Sequence, residues 1–91
     1  GGIKTQEDGS IVVFGSVTIR DLNRQFNWDL PDDENVATIA GLLLHKFRII
    51  PKVGQIFNLD TFRFEVLKKQ NNQIILIKII NNKQEEKEDS E

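Results

Sequence analysis

The sequence predicts an α+β domain in which an antiparallel sheet of about four strands carries two helices on one face. Three observations carry that prediction. One short β-branched and aromatic run, "SIVVFG" at 10–15, lies between Gly9 and Gly15 and reads as a strand. Two stretches of helical periodicity follow it. The last third then changes to strand-like runs, "QIFNL", "FRFEVLKK" and "QIILIKII".

The first helix begins at Thr18-Ile-Arg-Asp21, where the Thr18 hydroxyl is placed to accept from a backbone N–H of the first turn. Ile19, Leu22 and Phe26 form its single apolar stripe, and Asn27 suits a left-handed cap. "WDLPDDEN" is loop, because Pro31 restricts Leu30 to extended geometry. Trp28 in that loop is expected to fold back over the core, since large aromatics are mostly buried.

The second helix starts between Asn35 and Thr38 and ends before Pro51. At 100° per residue, Val36, Ile39, Ala40, Leu43, Leu44 and Phe47 form the core stripe. Thr38, Gly41 and His45 fall on the opposite side with Leu42 beside them. A Gly inside a helix costs ~1 kcal/mol against Ala, so a close approach at Gly41 is expected, by a loop of the domain or by a partner.

Asn71–Asn72 suits the positive φ angles of a two-residue type I′ turn. Counting back from that turn sets Val66 opposite Ile77 and Phe64 opposite Ile79 on the core side. Glu65 then faces Lys78 on the other side as an opposite-charge pair. Ile74, Leu76 and Ile80 fall on this second face, too many large aliphatics for a purely solvated surface, so it is expected to meet another surface or a second copy.

Composition narrows the function classes. With 38% hydrophobic and 29% charged residues in 91, the chain is one globular domain rather than a disordered segment. It has no cysteine, which excludes disulfides, thiolate nucleophiles and cysteine zinc sites. A net charge of −2 argues against a nucleic-acid partner. No apolar run approaches the ~20 residues of a membrane span, so the chain is not expected to insert. Residues 83–91 hold two Lys against five acidic residues, a net of −3, which leaves the rest at +1. The expected organisation is a loose segment at 1–9, a folded domain at 10–80 and a disordered acidic tail at 81–91. Gly1–Gly2 have the look of an expression remnant, and the chain reads as a piece of a longer protein.

Asp8–Gly9 before the first strand, "IRDLN" at 19–23, "LP" at 30–31, "TIAGLLL" at 38–44, "RIIPKVGQ" at 48–55 and Phe64-Glu-Val66 occur in an order that resembles the CorC/HlyC transporter-associated domain. The resemblance covers about residues 8–80. It implies the C-terminal domain of a membrane protein built from a CNNM-type transmembrane region and a pair of CBS modules. Such proteins are linked to magnesium and cobalt efflux, and some are labelled hemolysin-like. It further implies a place on the cytoplasmic side of the bacterial inner membrane, a role in modulating transport, and a fold like a subdomain of FAD-binding oxidoreductases. Phe47 stands where the family pattern calls for Gly, which argues against a left-handed cap at that point.

Several residue groups are weighed as sites. His45 has no second His or Cys, whereas metal sites need three or four ligands. Asp32-Asp33-Glu34 offers oxygens to a hard cation, but acidic residues ahead of a helix are also expected from its dipole. Lys46, Arg48 and Lys52 suit either phosphates or a helix C-terminus, and "KVGQ" lacks the spacing of a phosphate loop. No catalytic residue, metal site or cofactor is expected. The reading is a non-enzymatic accessory domain that docks through Thr38, Gly41, Leu42, His45, Ile74, Leu76 and Ile80 onto sister domains or a second copy. The alternative is a sensor for an adenine nucleotide or a flavin.

Overall fold

The structure, a computed structural model, describes residues 1–48 and 50–83. In chain order the elements are β1 (Ile3–Thr5), β2 (Ile11–Phe14), α1 (Ile19–Phe26), α2 (Ile39–Phe47), β3 (Ile56–Leu59), β4 (Phe62–Gln70) and β5 (Gln73–Asn81). The five strands make one antiparallel sheet in the order β1-β2-β5-β4-β3. The first strand run therefore inserts beside the last, with Ile11 opposite Ile79 and Val13 opposite Ile77. The strand beyond the expected four is β1, inside the segment read as loose. Three residues carry no usable periodicity. β1 forms because Ile3–Thr5 pair with Val13–Ile11 and the Phe14 N–H donates to the Gly2 carbonyl at 2.9 Å. β5 reaches Asn81, and residues 84–91 of the expected acidic tail lie outside the described residues.

Both helices start on the same device. The Thr18 hydroxyl accepts from the Asp21 N–H and the Thr38 hydroxyl from the Gly41 N–H, each at 3.0 Å. The two starts are also tied to each other. The Ile19 N–H donates to the Ala37 carbonyl and the Ile39 N–H to the Val17 carbonyl, both at 2.9 Å. Each helix thereby satisfies a first-turn donor that would otherwise lack an intrahelical partner. α1 ends in left-handed Asn27 (φ 56°), as expected. α2 also ends in a left-handed cap, contrary to the expectation raised by Phe47. Arg48 supplies it at φ 55°, one residue later, with its N–H on the Leu44 carbonyl at 3.0 Å.

The core lies between the helices and one sheet face. Val13, Phe64, Val66, Ile77 and Ile79 are fully enclosed, under Ile19, Leu22 and Ile39. The hairpin register is as counted: Val66 opposite Ile77, Phe64 opposite Ile79, Glu65 opposite Lys78. The connection differs from type I′ in that Asn71 has φ 55° while Asn72 is not in the positive-φ region. Trp28 packs as expected, stacked on Phe26 at 4.8 Å and edge-on to Phe62 at 5.3 Å.

Two docking candidates belong to this core instead. Leu42 is buried. The helix begins only at Ile39, because Thr38 is its cap, so Val36 lies outside it and the inward stripe is Ile39, Leu42 and Leu43. Ala40 and Leu44 are shifted to the rim, half-buried. Ile74 is buried as well. The ladder steps irregularly between Val66 and Lys69, where Lys68 faces Leu76 and Lys69 faces Ile74. An extra residue at such a step reverses which face the next side chain takes, and Ile74 turns inward.

Candidate functional site

The outer sheet face is built by the alternate residues of the strands that fill the core. Lys4, Val12, Lys78, Glu65 and Ile56 form one cross-strand row, and Phe14 stands opposite Leu76 in the next. Leu76 and Ile80 lie on this face, half-buried, as the hairpin count places them. No helix covers it among the described residues. Its aliphatics are interleaved with Arg63, Lys68, Lys78 and Glu65.

Phe14 is the most exposed aromatic of the core strands, at 50%. It sits where the outer face meets an open groove of about 440 Å³ between the end of β2, the start of α2 and the start of β5. Gly15, Thr38, Gly41, Leu44 and Ile75 line it, with no charged side chain among its lining residues. Of the seven candidates named from sequence, the groove gathers Thr38, Gly41 and the edge of Ile74, while Leu76 and Ile80 remain on the adjoining face.

The question of what approaches Gly41 has a local answer. A Cβ there would meet the Thr38 Oγ1 at 3.1 Å, so the helix's own cap crowds it. The tighter glycine is Gly15. A Cβ on Gly15 would lie 2.1 Å from the Ile74 carbonyl oxygen and 2.9 Å from the Ala40 Cβ. The Gly15 N–H donates to the Ile75 carbonyl at 2.8 Å, and the Ala40 N–H donates to the Gly15 carbonyl at 3.0 Å. Gly15 thus joins β2, β5 and α2 at the groove floor. Sequence reasoning treated it only as a strand boundary. Phe14 was also missed, although strand alternation from buried Ile11 and Val13 points it outward.

The other candidates do not assemble into a site. His45 is exposed, with its Nε2 4.0 Å from the Asp33 Oδ2. Asp33 Oδ1 accepts from the Asn35 N–H at 2.8 Å, and Asp32 lies 3.9 Å from Arg20. These acids are turn-forming and helix-facing groups. Among the described residues no three His, Cys, Asp or Glu converge as a metal cage. "IRDLN" has a structural role that sequence did not disclose: Asn23 donates to the Leu30 carbonyl at 3.0 Å and accepts from its N–H at 2.8 Å. That clamp holds buried Leu30 against α1. No described helix is long and apolar enough to cross a membrane.

Comparison with known proteins agrees with this architecture. The family model for the transporter associated domain, CorC_HlyC, matches residues 4–83. A UPF0053 protein of Haemophilus influenzae is 39% identical over 75 residues, which are 82% of this chain and 18% of that protein. The UPF0053 inner membrane protein YfjD of Escherichia coli is 31% identical over 77 residues, 85% of this chain and 18% of its own length. The chain thus spans about a fifth of these relatives. A functionally unknown conserved protein from Haemophilus influenzae superposes with a TM-score of 0.81 at 36% identity, covering 89% of this chain and 99% of that one. A transporter associated domain from a Xylella fastidiosa hemolysin, in complex with Mg++ and Mn++, superposes with a TM-score of 0.75 at 26% identity, covering 89% and 98%. The matched span, the sequence identities and the superpositions lead to one conclusion: the chain belongs to the CorC_HlyC transporter associated domain family.

Proposed function

We propose that this chain is a non-catalytic regulatory domain of a membrane ion-transport protein and acts by docking. Its groove and outer sheet face would contact the CBS and transmembrane parts of the same protein, or a second copy, and bias the transporter's conformations. The observation that carries this reading is Phe14, a half-exposed aromatic at the junction of an uncharged groove and an uncovered sheet face. The setting comes from relatives: one is named an inner membrane protein, and a Buchnera aphidicola relative, 29% identical over 70 residues, is named a magnesium and cobalt efflux protein. A place on the cytoplasmic side of that membrane is part of the same proposal and rests on the family resemblance alone.

The test is binding of this chain to the remainder of its full-length protein expressed without it. Phe14→Glu and Leu76→Glu are expected to weaken that binding about 30-fold, the effect of losing an interface anchor. His45→Ala should leave it unchanged. Full affinity in both Glu variants, with folding verified by circular dichroism, overturns the docking reading. A rise in melting temperature with saturating ATP, AMP, FAD or Mg2+ would favour a ligand sensor instead. The groove's uncharged lining speaks against a phosphate-bearing ligand there.

A further inference from the structure

Charge is divided sharply along this chain. Residues 1–34 hold three Lys or Arg against seven acidic residues, a net of −4, whereas residues 35–83 hold eight against two, a net of +6. Between Asn35 and Leu59 there is no acidic residue at all. Within that basic half, the exit from α2 carries the two most exposed large aliphatics of the described residues, Ile50 at 67% and Val53 at 62%. Lys46, Arg48 and Lys52, all exposed, flank them.

These aliphatics are displayed by a built turn. Pro51 is buried between them, and the Lys69 ammonium donates to its carbonyl at 3.0 Å. The Lys52 N–H donates to the Gln55 Oε1 and the Gln55 N–H to the Lys52 carbonyl, both at 3.0 Å. Gly54, at φ 89°, donates to the Val66 carbonyl at 2.7 Å and anchors the turn to β4. Val53 is therefore held at the apex of a short protrusion fixed on the sheet.

We infer that this turn is a membrane-surface contact that inserts Ile50 and Val53 among the headgroups of an anionic bilayer. Two aliphatic side chains amount to a small part of the ~800 Å² per partner that a stable protein interface buries. A bilayer interface accepts a protrusion of that size, and nearby cations strengthen its hold on anionic lipid by about fivefold each. The charge, exposure and sequence proximity of Lys46, Arg48 and Lys52 meet that requirement, with no acidic residue between Asn35 and Leu59 to oppose it. The groove at Phe14 is not involved, so this inference goes beyond the docking reading and stands or falls separately.

The test is co-sedimentation of the full 91-residue chain with vesicles made of equal parts phosphatidylglycerol and phosphatidylcholine, against pure phosphatidylcholine. Binding is expected to the anionic vesicles only, and to weaken as salt is raised. Lys46→Gln with Lys52→Gln should reduce partitioning about 25-fold. Ile50→Ser with Val53→Ser should reduce it at unchanged charge, with the melting temperature preserved because both side chains are exposed. No binding to anionic vesicles overturns the inference. So does binding that the Ser pair leaves intact, which would reduce the effect to general charge attraction. If the Ser pair instead abolishes a concentration-dependent dimer while vesicles are ignored, the turn is a self-association surface and the lipid assignment fails.

Discussion

The inner and outer faces of the sheet come from the same strands, one residue apart, yet they divide the molecule's work. On the inner face Val13, Phe64, Val66, Ile77 and Ile79 are closed off from solvent by the helices. On the outer face Val12, Phe14, Leu76 and Ile80 alternate with Lys4, Lys78, Glu65 and Arg63, and none is fully covered. The difference is that stability is concentrated in one layer, and the other contributes less to it. Truncating Phe64 to Ala should cost about 3–5 kcal/mol, since it removes an enclosed ring and leaves a cavity. Truncating Phe14 to Ala should cost under about 1 kcal/mol, because half of that ring already faces water. Denaturant unfolding of the two variants measures both. Equal losses would show that the outer face is part of the core after all.

A smaller effect tests where the two layers join. Gly15 lies at that seam, and Gly15→Ala forces a methyl against the Ile74 carbonyl, a backbone atom that cannot step aside as a side chain would. Strain of this kind costs about 1–3 kcal/mol. Gly41→Ala should change stability by less than about 0.5 kcal/mol. The gain of about 1 kcal/mol in helix propensity is offset by crowding the Thr38 cap, itself worth about 1 kcal/mol. Thermal unfolding of the two variants checks the contrast. A stabilised Gly15→Ala would mean that β5 and α2 are not packed as tightly at the groove floor as described.

These two glycines also show which parts of the fold were legible in sequence. Local chemistry was readable: the Thr18 cap and the left-handed Asn27 follow from residue types a few positions apart. So was the β4–β5 register, because a two-residue connection leaves little freedom in counting. Features set by distant contacts were not. β1 exists through pairing with β2, and Gly15 is needed because β5 and α2 converge on it from 59 and 25 residues away. Leu42 and Ile74 were misplaced for a shared reason: each depends on a one-residue phase, the start of α2 in one case and the ladder step near Leu67 in the other. For the candidate groove, Thr38 and Gly41 were legible as neighbours on one helical face, whereas the outward turn of Phe14 was not, because "SIVVFG" reads as a continuous apolar run. Alternation becomes informative there only once a single helix layer covers one side.

The smallest effect falls at the outer edge, in the β1–β2 turn. Asp8 Oδ1 accepts from the Ser10 hydroxyl at 2.6 Å and from the Ser10 N–H at 2.9 Å, and Ser10 is buried beneath it. Those two bonds, the hydroxyl foremost, hold the Asp8 carboxyl below the ordinary aspartate value, with Lys78 adding a lesser attraction. A group whose folded pKa is depressed contributes stability above its unfolded pKa and loses it as pH falls through the folded value. Asp8→Asn keeps an acceptor oxygen at that position but removes the charge. The parent should therefore be the more stable of the two at neutral pH. The gap should stay constant down to the ordinary aspartate range and close at more acid pH, once Asp8 is protonated in the folded chain as well. Parallel acid titrations of unfolding midpoints isolate this single group, because every other carboxylate is common to both proteins. A gap that persists undiminished at the acid end would mean that the turn depends on the acceptor geometry of residue 8 and not on its charge. Asp8 would then join the outer edge to the core through Ser10 in the same way that Asn23 joins Leu30 to α1, by shape rather than by electrostatics.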